Sequence, residues 1–175
     1  IHSMLHEALD AAKQAGLIPW NPTEEIPPPK FTCKAKQILT DEQLDIFMAI
    51  IQQDDIWHDF FYTELTTGLR RGEICGLKWT DFNEADSTLK VRRTIHQETG
   101  GELTAWDTKT TAGTRTIILP PSTVELLRER QKSALTEWIF PDPLRPEQPT
   151  RPSAAYNRMK SLLKAAGLPD LRFHD

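Results

Sequence analysis

Cysteine is scarce in this chain, two in 175 residues, and Cys33 and Cys75 stand in no CxxC or Cys/His pattern. That pattern favours buried or free thiols over zinc ligands or a disulfide. Long apolar runs are missing as well: none approaches the ~20 residues of a membrane helix, and no signal peptide precedes the first helical stretch. A soluble cytoplasmic protein with no membrane partner is expected. Glycine is outnumbered by proline, eight to thirteen, so the connecting segments should be fixed rather than flexible. Tyrosine occurs twice, as Tyr62 and Tyr156, both on apolar helix faces. There is no internal repeat and no low-complexity tract.

An excess of positive charge is also missing. The net charge is −4, which weighs against nucleic acid because duplex binding runs largely on phosphate neutralisation. The distribution changes that reading. Residues 1–60 hold ten acids and four bases, whereas residues 61–175 hold fifteen acids and seventeen bases. In the second segment Arg70, Arg71, Lys78, Lys90, Arg92, Arg93, Lys109 and Arg115 fall close together in sequence, so a local basic face is expected on an acidic molecule.

What is present is a composition that folds, 38% apolar with five Trp and seven Phe, enough for one sizeable core plus an appendage. Ile1, Met4, Leu5, Ala8 and Ala12 lie at helical spacing, and Gly16 and Pro19 close that helix. From Pro19 to about Ile38 five prolines, three of them consecutive at 27–29, predict an extended, semi-rigid linker. Thr40–Gln43 predicts a capping box, followed by an apolar face of Leu44, Phe47, Met48 and Ile51. A second helix is expected from about Ile56 to Thr67, turning Trp57, Phe60, Phe61 and Leu65 inward, with His58 beside Asp59 as a structural or exposed histidine.

Strand-like alternation over residues 88–95, a Thr99-Gly100-Gly101 turn, a return over residues 103–106 and a third strand over residues 115–119 predict one small antiparallel sheet with Lys109 at its tip. A helix opening at Pro121-Ser122, with a second capping box at Ser122 and Glu125, should bury Val124, Leu127 and Leu135. Trp138–Phe140 reads as a short buried strand, residues 141–149 as a loop, and Pro152–Ala166 as a helix burying Tyr156, Met159, Leu163 and Ala166 before Gly167 ends it.

The centre of the pattern is Thr66-Thr67-Gly68-Leu69-Arg70-Arg71-Gly72-Glu73-Ile74-Cys75-Gly76-Leu77. It reads as a helix stopped at Gly68, a tight turn, and a second helix from about Arg71. Two guanidinium groups at such a corner can grip a phosphate; equally, they can be solvated or paired with Glu73. Three stretches in order resemble the tyrosine recombinases of phages and transposons. They are this corner with Trp79-x-Asp81-Phe82, then Thr108-Lys109-Thr110 running into Arg115–Pro120, and last Phe173-His174-Asp175. The resemblance covers nearly the whole chain.

The resemblance implies an α+β, mainly helical, tyrosine-recombinase-type catalytic domain with a small three-stranded antiparallel sheet, spanning 39–175. Residues 1–18 would be the last helix of a preceding DNA-clamping domain, and 19–38 the linker. Arg70 matches the first catalytic arginine, Lys109 the hairpin general acid and His174 the histidine that assists at the phosphate. Glu73 matches an acid bracing Arg70. Arg71, Lys78, Arg92, Arg93 and Arg115 are expected as further DNA contacts.

No metal or other cofactor is implied. The expected partners are double-stranded DNA and further copies of the complete protein, four protomers on two duplexes, associated with the bacterial nucleoid. The family pattern continues past His174 with a second arginine, a further His or Trp, and a tyrosine nucleophile, whereas the printed sequence stops at Asp175. Residues 1–175 alone are therefore expected not to cleave DNA. Two other readings stand beside this one: a non-catalytic DNA-binding module of the same fold, and a helical adaptor without nucleic acid.

Overall fold

The computed structural model describes residues 1–28, 38–107 and 114–173. The chain divides into two compact units, residues 1–36 and 37–175.

In the first unit, α1 (His2–Gln14) is followed by turns rather than by a chain running out extended from Pro19. Asn21 explains the difference. Its fully buried side chain donates to the His6 carbonyl and to Asp10 Oδ1, each at 3.1 Å, and accepts from the Thr23 backbone N–H and hydroxyl at 3.0 and 2.7 Å. A buried amide with its donors and acceptors satisfied locally outweighs the preference of the prolines around it.

The second unit begins its described core with α2 (Asp41–Ile51), whose start carries the expected reciprocal cap between Thr40 and Gln43. Phe47 and Ile51 are buried, whereas Leu44 is about one-third exposed. α3 (His58–Thr67) buries Phe60 and Phe61 and leaves Leu65 exposed. It stops at Gly68, whose φ of +62° is the left-handed conformation that favours glycine. Leu69 is buried immediately after it and pins the corner to the core.

α4 (Arg71–Cys75) leads through a turn at Trp79–Asp81 into β1 (Phe82–Asn83) and β2 (Thr88–Val91). The strand expected over 88–95 is divided at Arg92. β3 (Arg93–Gln97) pairs with β4 (Leu103–Asp107) as a separate hairpin, while β2 pairs with β5 (Arg115–Ile118) and β1. The three-stranded sheet therefore exists with β1, not the 103–107 strand, as its third member. Leu89, Val91 and Ile95 are all buried, and Arg93 lies in the same phase with its charge met by Asp81. The period-two pattern therefore runs unbroken through the division.

α5 (Pro121–Lys132) starts two residues earlier than the second capping box requires, and it has no side-chain cap. Proline at the first helical position sets that start, which places Ser122 inside the first turn, and Glu125 pairs with Arg128 instead. Leu135 falls beyond the helix and is 95% exposed, against expectation. Trp138, Ile139 and Phe140 are buried, with Ile139 N–H donating to the Leu77 carbonyl at 2.9 Å. Residues 141–149 form a short hairpin, β6 (Pro141–Asp142) and β7 (Arg145–Pro149), where a loop was expected. α6 (Pro152–Ala165) buries Met159, Leu162 and Leu163 and ends near Gly167, φ +65°. It packs against α2, α4 and β3. Among the described residues no helix is long and apolar enough to cross a membrane.

Candidate active site

The corner between α3 and α4 places Arg70 at the N-cap of α4, with its side chain 75% exposed. Glu73, one turn on, is only 6% exposed. Its carboxylate gathers four N–H donors. Arg70 supplies its backbone N–H to Oε2 at 2.8 Å and Nη1 to Oε1 at 3.1 Å. Arg115, the first residue of β5, supplies Nη1 to Oε1 at 2.8 Å and Nη2 to Oε2 at 2.7 Å.

Burial by itself would push the Glu73 carboxyl up. The Arg115 fork, the Arg70 N–H and the Arg115 charge together outweigh it and hold the group at about 2. Glu73 is thus an ionised, buried anchor rather than a surface ion pair, and Arg70 is oriented by it with part of its guanidinium open to solvent.

Beside Arg70 lies an open cleft of about 540 Å³ lined by Arg71, Thr94, His96, Gln97 and Tyr156, among others. Arg71 lies over the Tyr156 ring at 5.5 Å and the Phe173 ring at 5.9 Å, so its charge is spread over aromatic faces on the wall of the cleft.

The other expected DNA contacts lie elsewhere. Lys78 reaches Glu137 at 2.8 Å and sits 4.5 Å from the Trp138 ring centroid. Arg93 is turned inward to Asp81 at 2.5 Å and to the Gly76 carbonyl at 2.9 Å. Arg92 is half-exposed, 3.5 Å from Asp81. Arg115 is committed to Glu73. Lys109 and His174 lie outside the described residues.

Two features of the site have no role in the motif reading. One is Asp81, quoted there as part of the motif: a 3%-exposed carboxylate that serves Arg93, Arg92 and the Lys78 backbone N–H. The other is the inward direction of Arg115. A signal for the second was present, because Arg115 alternates with Ile117 on the more buried face of β5 while Thr116 and Ile118 face out. Cys75 is fully buried in the core and burial pushes its thiol up, away from nucleophilic use. Among the described residues no group of three or more His, Cys, Asp or Glu side chains is placed to hold a metal ion.

A mixed α+β domain with small antiparallel sheets is the fold that the resemblance to tyrosine recombinases implies. The phage integrase family matches residues 37–175, and the chain belongs to that family. It is 25% identical over its whole length to the ICEBs1 integrase of Bacillus subtilis, covering 50% of that protein. It is also 28% identical, over 69% of its length, to a prophage phiRv2 integrase of Mycobacterium tuberculosis, covering 33% of it.

The chain thus spans a third to a half of these relatives. Among solved structures, the Tn1549 transposon integrase in complex with transposon right end DNA superposes with a TM-score of 0.80 at 22% identity, over 99% of this chain and 61% of that one. A lambda integrase tetramer bound to a Holliday junction gives 0.68 at 22% identity, over 99% and 49%. At that identity the likeness is one of fold.

Proposed function

We propose that the complete protein is a site-specific DNA recombinase of the integrase type, breaking and rejoining duplex DNA in the bacterial cytoplasm as a multimer. The observation that carries the reading is the Arg70 guanidinium, held at the α3–α4 corner by a buried, ionised Glu73 and presented to an open cleft. A preorganised donor of this kind stabilises charge developing on the non-bridging oxygens of a phosphodiester. A tyrosine hydroxyl would attack the phosphorus, forming a 3′-phosphotyrosine as the bond to the 5′-oxygen breaks. Lys109 would give that leaving oxygen its proton, and His174 would hydrogen-bond the phosphate.

The nucleophile is assigned outside residues 1–175. Tyr156 is covered by Arg71 on one side and Lys160 on another, and Tyr62 sits within α3 against His58. Self-association on DNA is part of the proposal, supported by the tetrameric state of the lambda integrase structure.

The test uses the full-length protein and a nicked duplex carrying a site recovered by selection from a random-sequence library. Cleavage of that duplex should trap a covalent protein–DNA adduct. Arg70→Ala should lower the adduct rate by about 10²–10³-fold, the cost of removing one transition-state donor, with a smaller drop in thermal midpoint than Glu73→Gln because the Arg115 fork still holds Glu73. Adduct formation by R70A at the parent rate would remove Arg70 from the reaction.

A further inference from the structure

We infer that Arg115 is a positioning residue of this site: it saturates Glu73 and so leaves Arg70 an open edge for a phosphate. The inference rests on the recombinase reading above and adds to it a residue whose expected role was DNA contact.

One carboxylate here faces two guanidinium groups. Arg115 takes both Glu73 oxygens in a parallel fork at 2.8 and 2.7 Å, whereas the Arg70 side chain gives Glu73 one bond, at 3.1 Å, the longest of the carboxylate's four among the described residues. Two matched N–H donors in one plane are the geometry in which a carboxylate is held most firmly. Arg115 is also the more enclosed of the pair. Its backbone is registered opposite buried Val91 in the β2–β5 ladder, and its side chain is 37% exposed against 75% for Arg70. The fold therefore sorts two chemically identical groups, turning one inward to hold the acid and the other outward with donors left over.

Without Arg115, both oxygens of a buried carboxylate would be free to engage Arg70 as a fork. That arrangement would draw Arg70 toward the protein and out of phosphate reach. Burial would then push the Glu73 carboxyl up with its largest opposing support gone.

In the full-length protein, Arg115→Gln should lower the single-turnover cleavage rate on the selected nicked duplex by about 10²-fold, the scale expected when a reacting group is displaced by about 1 Å. Duplex affinity should change by less than about 3-fold, and its salt dependence not at all, because no phosphate contact is lost. The rate–pH profile should gain an acid limb that the parent lacks, since protonated Glu73 no longer braces Arg70. Arg115→Lys, which keeps the charge but not the fork, should fall between parent and R115Q. In an E73Q background, R115Q should cost less than about 3-fold, because the carboxylate charge through which Arg115 acts is already gone.

Two results would overturn the inference. A salt slope reduced by about one phosphate together with weaker binding would make Arg115 a DNA contact. An equal loss in both backgrounds, with no new acid limb and a lowered thermal midpoint in R115K as well, would make it a structural residue. Arg70→Ala run alongside separates the two levels of the reading. If R70A is inactive while R115Q matches the parent, only this inference fails; if R70A cleaves normally, the site assignment itself fails.

Discussion

At the residue scale, two glutamates on neighbouring elements have opposite responses to pH, and each follows from what surrounds it. Glu73 is held at about 2, below its ordinary 4.5, by Arg115 and Arg70 against the cost of burial. A carboxyl depressed in the folded state contributes stability above its unfolded value, and that stability is lost as pH falls from about 4.5 through about 2. Urea unfolding at stepped pH should show Glu73→Gln on the order of 3 kcal/mol less stable than the parent at pH 7, with the gap closing through that acid window.

Among the described residues Glu64 has no such partner. In a groove lined by Leu44, Phe47, Phe61, Leu65 and Met159, among others, burial alone raises it to about 7, with Arg172 the other charged group lining the groove. Its neutral form fits the fold, so stability is full below about 4.5 and falls as pH rises through 7. Glu64→Gln should therefore be more stable than the parent at pH 8, by on the order of 1–3 kcal/mol, and equal to it below pH 4.5. The Glu73 motif was legible as sequence. The Glu64 environment was not, because it is assembled from α2, α3 and α6, whose packing no local pattern specifies.

At the element scale, α4 is held against β3 by the absence of a side chain. A Cβ built at Gly72 would meet the Ile95 carbonyl at 2.8 Å and collide with the Thr94 hydroxyl. Gly72→Ala should cost about 1–3 kcal/mol in urea unfolding, the scale of overpacking, and should depress cleavage by the full-length protein because α4 carries Glu73. The same junction depends on Asp81, which compensates the inward Arg93. Asp81→Ala leaves that guanidinium nearly buried with only the Gly76 carbonyl, and should destabilise by about 3–5 kcal/mol.

Helix ends marked by Gly68, Thr40 and Gly167 were readable because their capping chemistry is local. The division of the strand at Arg92 was not readable, since both halves keep the same inward phase. Nor was the early start of α5, where proline at the first helical position competes with a plausible capping box.

At the scale of the whole molecule, the charge balance alone points away from DNA, and the structure shows how much positive charge is already spent. Arg93, Arg115, Lys78 and Arg71 are occupied by Asp81, Glu73, Glu137 and aromatic rings. Residues 1–175 should accordingly bind non-specific duplex weakly, with an affinity that falls steeply between 50 and 200 mM salt, roughly in proportion to the few phosphates neutralised. Fluorescence anisotropy with a labelled duplex measures this directly; binding indifferent to salt would contradict a phosphate-reading surface. The same residues should form no covalent adduct on the nicked duplex that the full-length protein captures, because Tyr62 and Tyr156 are both held within helices by ring contacts.

The sequence by itself determined the mixed helix-and-strand class, most of the helix ends, and the α3–α4 corner with its two arginines. Those follow from periodicity, from caps and from glycines at positive φ, all of which act over a few residues. Only the tertiary structure decided which basic groups remain open. Arg70 and Arg115 are 45 positions apart and alike in chemistry, and the local alternation that turns Arg115 inward does not say which acid it meets. The β2–β5 register aims Arg115 inward, the helix corner aims Arg70 outward, and a single buried carboxylate between them fixes the difference. Charge inside a fold is shared among groups brought together from distant positions, and that sharing is a property of three-dimensional distance rather than of sequence order.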